Sequence, residues 1–212
     1  MTRLTVLAFA LAAAVGSAQA SIITVQAASA TSPFLASAAE YQSAVDAALL
    51  TPGAASASPA SLNAISHQSL FGGSTNFAMK TTITFGVAAE GEWSFRAGVD
   101  FGSGGAMFLD GVAVDFKAND MWWAGNYDNG SQFFSATKNL EAGNHVLTVL
   151  GFEGCCDGAQ QVQFVQGEGD FTSFSTADRL NVVPEPASLG LAAAGLGMLG
   201  LSRRRKIVAR KA

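Results

Sequence analysis

Between Leu62 and Phe174 there is no proline, and the whole chain of 212 residues holds only two cysteines and two histidines. Each scarcity excludes something. Proline removes hydrogen-bond donors from a strand ladder, so its absence over so long a stretch fits continuous strand pairing. His67 and His145 stand far apart in sequence, and the two cysteines are adjacent, so no zinc-binding spacing exists. No nucleophile elbow or phosphate-binding loop is present either. Carboxylate pairs such as Glu90 with Glu92, or Glu153 with Asp157, lie too close in sequence for a glycosidase pair and read as turn and edge charges. The sequence therefore predicts a protein that is not an enzyme and needs no cofactor or metal. Basic residues are also scarce where it matters. Arg3 sits at one end and six bases at the other, which leaves residues 21–186 with five basic and sixteen acidic side chains, a net charge of −11. A body this acidic repels nucleic acid and anionic headgroups, and a cation-bridged polysaccharide suits it better as a neighbour.

Long apolar runs occur only at the ends. Met1-Thr2-Arg3 is a short basic start, Leu4–Val15 is apolar, and Ala18-Gln19-Ala20 is an A-x-A cleavage signal. Residues 1–20 read as a secretory signal peptide, to be removed by signal peptidase near Ser21. At the other end, Pro184-Glu185-Pro186 precedes an apolar, glycine-containing stretch from Ala187 to Leu201. The cluster Arg203, Arg204, Arg205, Lys206, Arg210 and Lys211 follows. Fifteen apolar residues fall short of the ~20 that span a bilayer comfortably, although snorkelling arginines extend the reach. The positive-inside rule keeps these arginines cytoplasmic and the body outside.

In that order the three parts resemble the PEP-CTERM sorting signal, which occupies 181–212 here. The resemblance implies export across the inner membrane and transient anchoring by a C-terminal transmembrane helix. Cleavage by an exosortase follows, with delivery to the cell surface or an exopolysaccharide-rich biofilm matrix. A plain uncut anchor is the simpler alternative.

Residues 21–60 are rich in Ala and Ser and carry three of the five prolines. Within them, Ser32-Pro33 reads as an N-cap with proline at the first helical position. Phe34, Ala38, Tyr41, Val45 and Ala48/Leu49 recur as one helix face, and Thr51-Pro52-Gly53 stops it, predicting a helix near 33–50. Ala54–Ala60 reads as a flexible connection. From 61 to 180 the period becomes two. Ile83, Phe85 and Val87 alternate with small or polar residues, and so do Trp93, Phe95 and Ala97. Met107 and Leu109 lead into Asp110-Gly111, a type I′ hairpin pair, with Val112, Val114 and Phe116 returning. Further strands are expected at Gln132–Thr137, His145–Phe152, Gln160–Gln166 and Asp170–Phe174. Eight short strands predict a mainly β fold, an antiparallel, jelly-roll-like β-sandwich over 61–180 with one N-terminal helix.

Trp93-Ser94-Phe95, Asp100, Gly102, Leu109-Asp110-Gly111 and Leu140-Glu141-Ala142-Gly143-Asn144-His145-Val146 resemble the protective-antigen-type β-sandwich. That family includes lectins and the GLEYA adhesins. The resemblance implies a sugar-binding domain over roughly 76–166. Its sugar-binding members hold calcium through two consecutive aspartates. Asp100 matches the first, but Phe101 stands at the second and cannot coordinate a cation, so strong calcium dependence is not expected.

Cys155 and Cys156 lie in Gly154-Cys155-Cys156-Asp157-Gly158. With the tail and the sandwich, this run resembles the CCXG group of PEP-CTERM proteins. In an exported protein exposed thiols rarely persist. A ring between neighbours, a bridge to another chain and free thiols all remain open. The ring is the working expectation, with Gly154 and Gly158 absorbing the distortion it demands. It would form either a hard loop or an apolar plate at the loop tip.

Met121-Trp122-Trp123 is followed by Asn126, Tyr127 and Asp128. In extended chain, neighbouring side chains face opposite ways, so one tryptophan should enter the core and the other reach solvent. Aromatic plates beside amides and carboxylates suit carbohydrate. The candidate ligand-binding residues are Trp122, Trp123, Asn126, Tyr127, Asp128, Cys155, Cys156 and Asp157, for an exopolysaccharide or cell-surface glycan. A structural protein of the biofilm matrix that associates with copies of itself is the second class, favoured if the cysteines bridge chains.

Overall fold

A computed structural model describes residues 20–180. The expected sorting tail at 181–212, and the expected signal peptide except for its last residue, lie outside the described residues. The element order is β1 (Ile22–Ser29), α1 (Ala38–Leu49), β2 (Ala55–Ala57), α2 (His67–Phe71), β3 (Phe77–Val87), β4 (Gly91–Gly98) and β5 (Asp100–Phe101). It continues with β6 (Gly105–Leu109), β7 (Val112–Lys117), β8 (Met121–Trp122), β9 (Phe133–Leu140), β10 (Gly143–Glu153), β11 (Gln161–Gln166) and β12 (Thr172–Ser173). The fold is mainly β. A six-stranded sheet runs β2-β1-β3-β10-β6-β7, a four-stranded sheet runs β12-β11-β4-β9, and β5 and β8 form a two-stranded ribbon. The named strand pairs are antiparallel.

The period-two pattern explains the main core. Ile83, Phe85 and Val87 of β3 and Leu147 and Val149 of β10 point to one side of the large sheet. They meet Trp93, Phe95 and Ala97 of β4, Phe134 of β9, and Val162 and Phe164 of β11. The two sheets thus share one buried interior. The Phe174 ring lies 4.7–6.3 Å from those of Phe85, Phe95 and Phe164, and Phe85 is 5.6 Å from Phe95. The opposite face of the large sheet carries Ala78, Ala106, Phe108, Leu150 and Phe152, which α1 covers with Ala38, Tyr41 and Val45. Lys80 on that face pairs with Asp46 of the helix at 2.7 Å.

Two differences from the sequence reading concern residues 21–60. The helix starts at Ala38 rather than Pro33. Ser37 is its N-cap, with its hydroxyl accepting from Glu40 N at 3.3 Å, while the Glu40 carboxylate accepts from Ala36 N at 2.7 Å. This reciprocal cap satisfies two donors, which Ser32-Pro33 cannot match. Phe34 therefore lies outside the helix and is exposed. The second difference is β1, which lies in the stretch read as preceding the sandwich. It pairs with β3 from Ile22↔Thr84 to Ser29↔Phe77 and buries Ile23, Val25 and Ala27. The expected flexible connection also holds β2, paired with β1.

The Asp110-Gly111 hairpin forms between β6 and β7, with φ of 51° and 77°, the left-handed pair that a type I′ turn requires. Asp110 does more than turn the chain. Its carboxylate accepts from Val146 N at 2.8 Å and lies 2.7 Å from His145 Nδ1. His67 is also held structurally. Its ring stacks on Phe77 at 3.9 Å, and Nδ1 lies 2.6 Å from Gly73 O. Among the described residues no helix is long and apolar enough to cross a membrane.

Candidate functional site

The β5–β8 ribbon sets Asp100 opposite Trp122 and Phe101 opposite Met121. Strand alternation then sorts the four side chains. Phe101 and Met121 are buried in the main core. Asp100 and Trp122 both line a cavity of about 540 Å3 beside it. Phe101 fits because Gly105 and Gly151 carry no side chain; a Cβ on Gly151 would run into its ring. Trp123 continues the alternation. It is 6% exposed, whereas Trp122 is 67% exposed. The Trp123 ring fills the space above Gly98, and the backbone N–H of Trp123 donates to Val99 O at 3.1 Å, while its indole Nε1 is buried without a hydrogen-bond partner among the described residues. Trp122 N donates to Gln132 Oε1, fixing the backbone beneath the exposed indole.

The opposite wall comes from the end of β10. Glu153 is buried and accepts from Gly102 N at 2.5 Å and from Cys155 N at 2.7 Å. Burial raises its carboxyl above the ordinary range, and the N–H groups of Gly102, Cys155 and Gly154 oppose that rise. Asp100 is pushed further, to about 7, first by burial and then by the charges of Glu153 and Asp157, with Asp120 adding to them. The Gly158 N–H works against the shift. Gly158 leaves room for the Asp100 carboxylate, which a Cβ there would strike. The rim is Cys155 and Cys156, both exposed, with Sγ atoms 2.6 Å apart and Cys156 in the left-handed region at φ 71°. Cys156 beside it raises the Cys155 thiol. Ser103, Asp120, Gly102 and Gly154 complete the lining.

Trp122 also borders a second hollow of about 390 Å3, shared with Asp120, Ala124, Asn126, Asn129 and Gln132. The indole is thus a free-standing plate between two concavities. Such a plate offers an apolar face to the C–H side of a ring-shaped ligand, while Asp100 and Asp120 accept hydrogen bonds from hydroxyls.

The residues expected from the sequence separate. Trp122, Cys155 and Cys156 meet at the acidic cavity, and Asn126 lies in the hollow beyond the indole. Trp123 is core. Tyr127 faces elsewhere, with its ring under Arg96 at 3.8 Å and its hydroxyl donating to Gln161 Oε1 at 3.0 Å. Asp128 is exposed and lines neither cavity. Asp157 is occupied structurally, because its two oxygens accept from His67 N at 3.2 Å and Gln68 N at 2.7 Å. Sequence reasoning missed Asp120, whose sole signal is its place two residues before Trp122, and the pocket role of Glu153, an acid closing an apolar strand.

The donor set does not suit the calcium site that the resemblance to the protective-antigen-type sandwich implies at Asp100 and the position after it. Phe101 is sealed in the core, and both Glu153 oxygens already accept backbone N–H groups. Among the described residues no three His, Cys, Asp or Glu side chains are grouped to hold a metal ion.

Residues 182–206 match the PEP-CTERM protein-sorting motif. That motif implies exosortase-processed export through a transient C-terminal membrane anchor. Among solved structures, the chain is similar to an anti-sigma factor domain-containing protein at 11% identity and a TM-score of 0.52. That match covers 77% of this chain and 49% of the other, so the chain spans about half its length. It is also similar to a PA14 sugar-binding domain from an RTX adhesin, at 12% identity and a TM-score of 0.51, covering 74% of this chain and 96% of that domain. At such identities the likeness shows the fold alone. No curated protein matches the chain significantly.

Proposed function

We propose that this chain is an exported, non-catalytic glycan-binding module whose sugar rests on Trp122. The exposure of that indole beside the buried Asp100 carboxyl and the cavity it lines carries the reading. A large aromatic left 67% exposed and held by its backbone forfeits core burial, which a stacking role accounts for. The sugar-binding adhesin domain of similar fold supports the ligand class. The PEP-CTERM motif supports the destination, a cell surface or extracellular matrix where glycans are the neighbours. The sugar face stacks on Trp122, and its hydroxyls reach Asp100, Asp120 and Ser103. Cys155 and Cys156, free thiols in the structure with Sγ atoms 2.6 Å apart, form the far wall, and oxidation to a vicinal ring would harden it. Near pH 7 the Asp100 carboxyl is divided between a donor and an acceptor form, so it can serve a hydroxyl in either direction. Glu153, with both oxygens engaged by backbone donors, has no free role as a general base, which supports binding without hydrolysis.

A printed array of neutral and acidic oligosaccharides, probed with the native protein and with Trp122→Ala, tests this. Binding that disappears with the indole supports the reading. A protein that binds no glycan on the array would move the assignment to a self-associating matrix protein.

A further inference from the structure

The outer face of the four-stranded sheet carries a second polar site, remote from the role given to Trp122. Its register places Gln163 of β11, Arg96 of β4 and Ser135 of β9 in one row. Ser94 pairs with Thr137 two residues along, with their hydroxyl oxygens 2.7 Å apart. The Arg96 guanidinium is sandwiched between two rings, 3.8 Å from the Tyr127 centroid and 3.9 Å from that of Phe171. Arg96 Nε donates to Gln163 Oε1 at 2.7 Å, and Gln163 Nε2 in turn donates to Ser173 Oγ at 3.4 Å. Tyr127 is itself fixed by Gln161 and by an edge-on contact with Phe133 at 5.0 Å.

This clamp leaves the two Nη groups of Arg96 without a hydrogen-bond partner among the described residues. Elsewhere in this acidic body, Lys80 pairs with Asp46 and Lys117 with Asp115. Among the described residues no carboxylate lies within ion-pairing distance of Arg96. Nor does any line the hollow of about 400 Å3 in front of it, which is bordered by Ser94, Ser135, Thr137, Tyr127 and Phe171. The nearby Asp115 carboxylate is already bonded to Lys117 and to Ser135 N. A guanidinium held flat by two rings and by its Nε keeps a preorganised two-N–H fork. That fork matches a carboxylate bidentately, at little further entropic cost.

We propose that this hollow is a binding subsite for an acidic sugar residue, with its carboxylate in the Arg96 fork and its hydroxyls against Ser94, Ser135 and Thr137. It would give an acidic protein one point of specific grip on an acidic polysaccharide, which its net charge otherwise repels. The site is independent of the acidic cavity, since the two share no lining residue.

The probe is a galacturonate trisaccharide, compared with its full methyl ester and with inorganic sulfate. Affinity is read by calorimetry and occupancy by the Arg96 Nε–H resonance. The acid should bind and shift that resonance, and the ester should bind at least about tenfold more weakly. Arg96→Gln should lose at least about tenfold in affinity. Should Arg96→Gln fail to fold, Thr137→Val, which removes only a surface hydroxyl, should still weaken the acid measurably. Equal binding of acid and ester, an Arg96 resonance that does not move, or undiminished binding by a folded Arg96→Gln would each overturn the proposal. Sulfate binding as tightly as the trisaccharide would reduce the site to an anion clamp and overturn its saccharide assignment.

Discussion

Trp122 and Trp123 are adjacent in the chain and belong to two different regimes of the same molecule. Trp123 lies against Gly98 and Tyr127, where the fold leaves no spare volume. Trp122 stands clear, with a concavity on either side; Asp120 borders both, and Asp100 and Glu153 line one of them. One residue step along a strand separates a side chain whose loss should cost stability from one whose loss should cost recognition. The lesson extends to the acids. Asp100 and Glu153 are buried in a way that works against folding at neutral pH, as their raised carboxyls record. A site that weakens the fold while shaping a cavity is what a binding role would leave behind.

The largest effect should come from the interior. Phe95→Ala removes a ring that is 1% exposed and stacked among Phe85, Trp93 and Phe174. It should lower stability by roughly 3–5 kcal/mol, a melting shift on the order of 10 °C. A loss near zero would mean the two sheets do not share one core. Gly98→Ala should be next. It drives a methyl into the Trp123 ring and should cost roughly 1–3 kcal/mol by overpacking. Calorimetric melting of both variants checks the order.

The pocket side has a pH signature whose sign is fixed by linkage. Asp100 takes up a proton at about 7 when folded and at its ordinary 3.8 when unfolded. Between those values the folded state holds the extra proton, so stability falls as pH rises through this window and levels off above it. Glu153 acts in the same direction. His145 does too. Burial would lower its proton affinity, but the bond to Asp110 and that to the Glu141 carbonyl outweigh it, and this stabilisation is lost as pH rises through its elevated folded value. Melting temperature should therefore be higher at pH 5 than at pH 8. Asp100→Asn should flatten the profile and raise the melting temperature at pH 8. An unchanged profile in Asp100→Asn would contradict the burial argument.

The cysteines should matter less to the fold. Cys155 and Cys156 are exposed and contribute no core. Replacing both with serine should move the melting point by no more than about 1–2 °C, within the range of a surface change. Unreduced monomer should weigh about two mass units less than the dithiol, as two hydrogens are lost on oxidation. Disulfide-linked dimers would instead point to self-assembly.

What the sequence disclosed follows from periodicity. The strands containing Phe85, Phe95 and Leu147, and the Asp110-Gly111 turn, were legible because long alternation and a left-handed residue pair have few alternative explanations. β1 was obscured because its inward residues after Val25 are alanines and its surroundings are Ala- and Ser-rich. The start of α1 was misplaced because a proline signal competed with the Ser37–Glu40 cap. At the candidate site, the opposite facing of the two tryptophans was readable from strand alternation alone. The acidic cluster was not, because Asp100, Asp120 and Glu153 come from elements far apart in sequence. Two of these are the two-residue strand β5 and the segment just before the equally short β8, too short for any period to register.

The smallest expected effect on stability coincides with the most direct test. Trp122→Ala, at a solvent-exposed plate, should change folding stability by no more than about 0.5 kcal/mol. Quenching of tryptophan fluorescence during titration with neutral oligosaccharides that bind the native protein reports the contact, and calorimetry with the same sugars measures its loss. The native protein should show quenching and saturable binding, and an equally stable Trp122→Ala should lose at least about tenfold in affinity. Equal affinity in the two proteins would contradict the stacking role of Trp122.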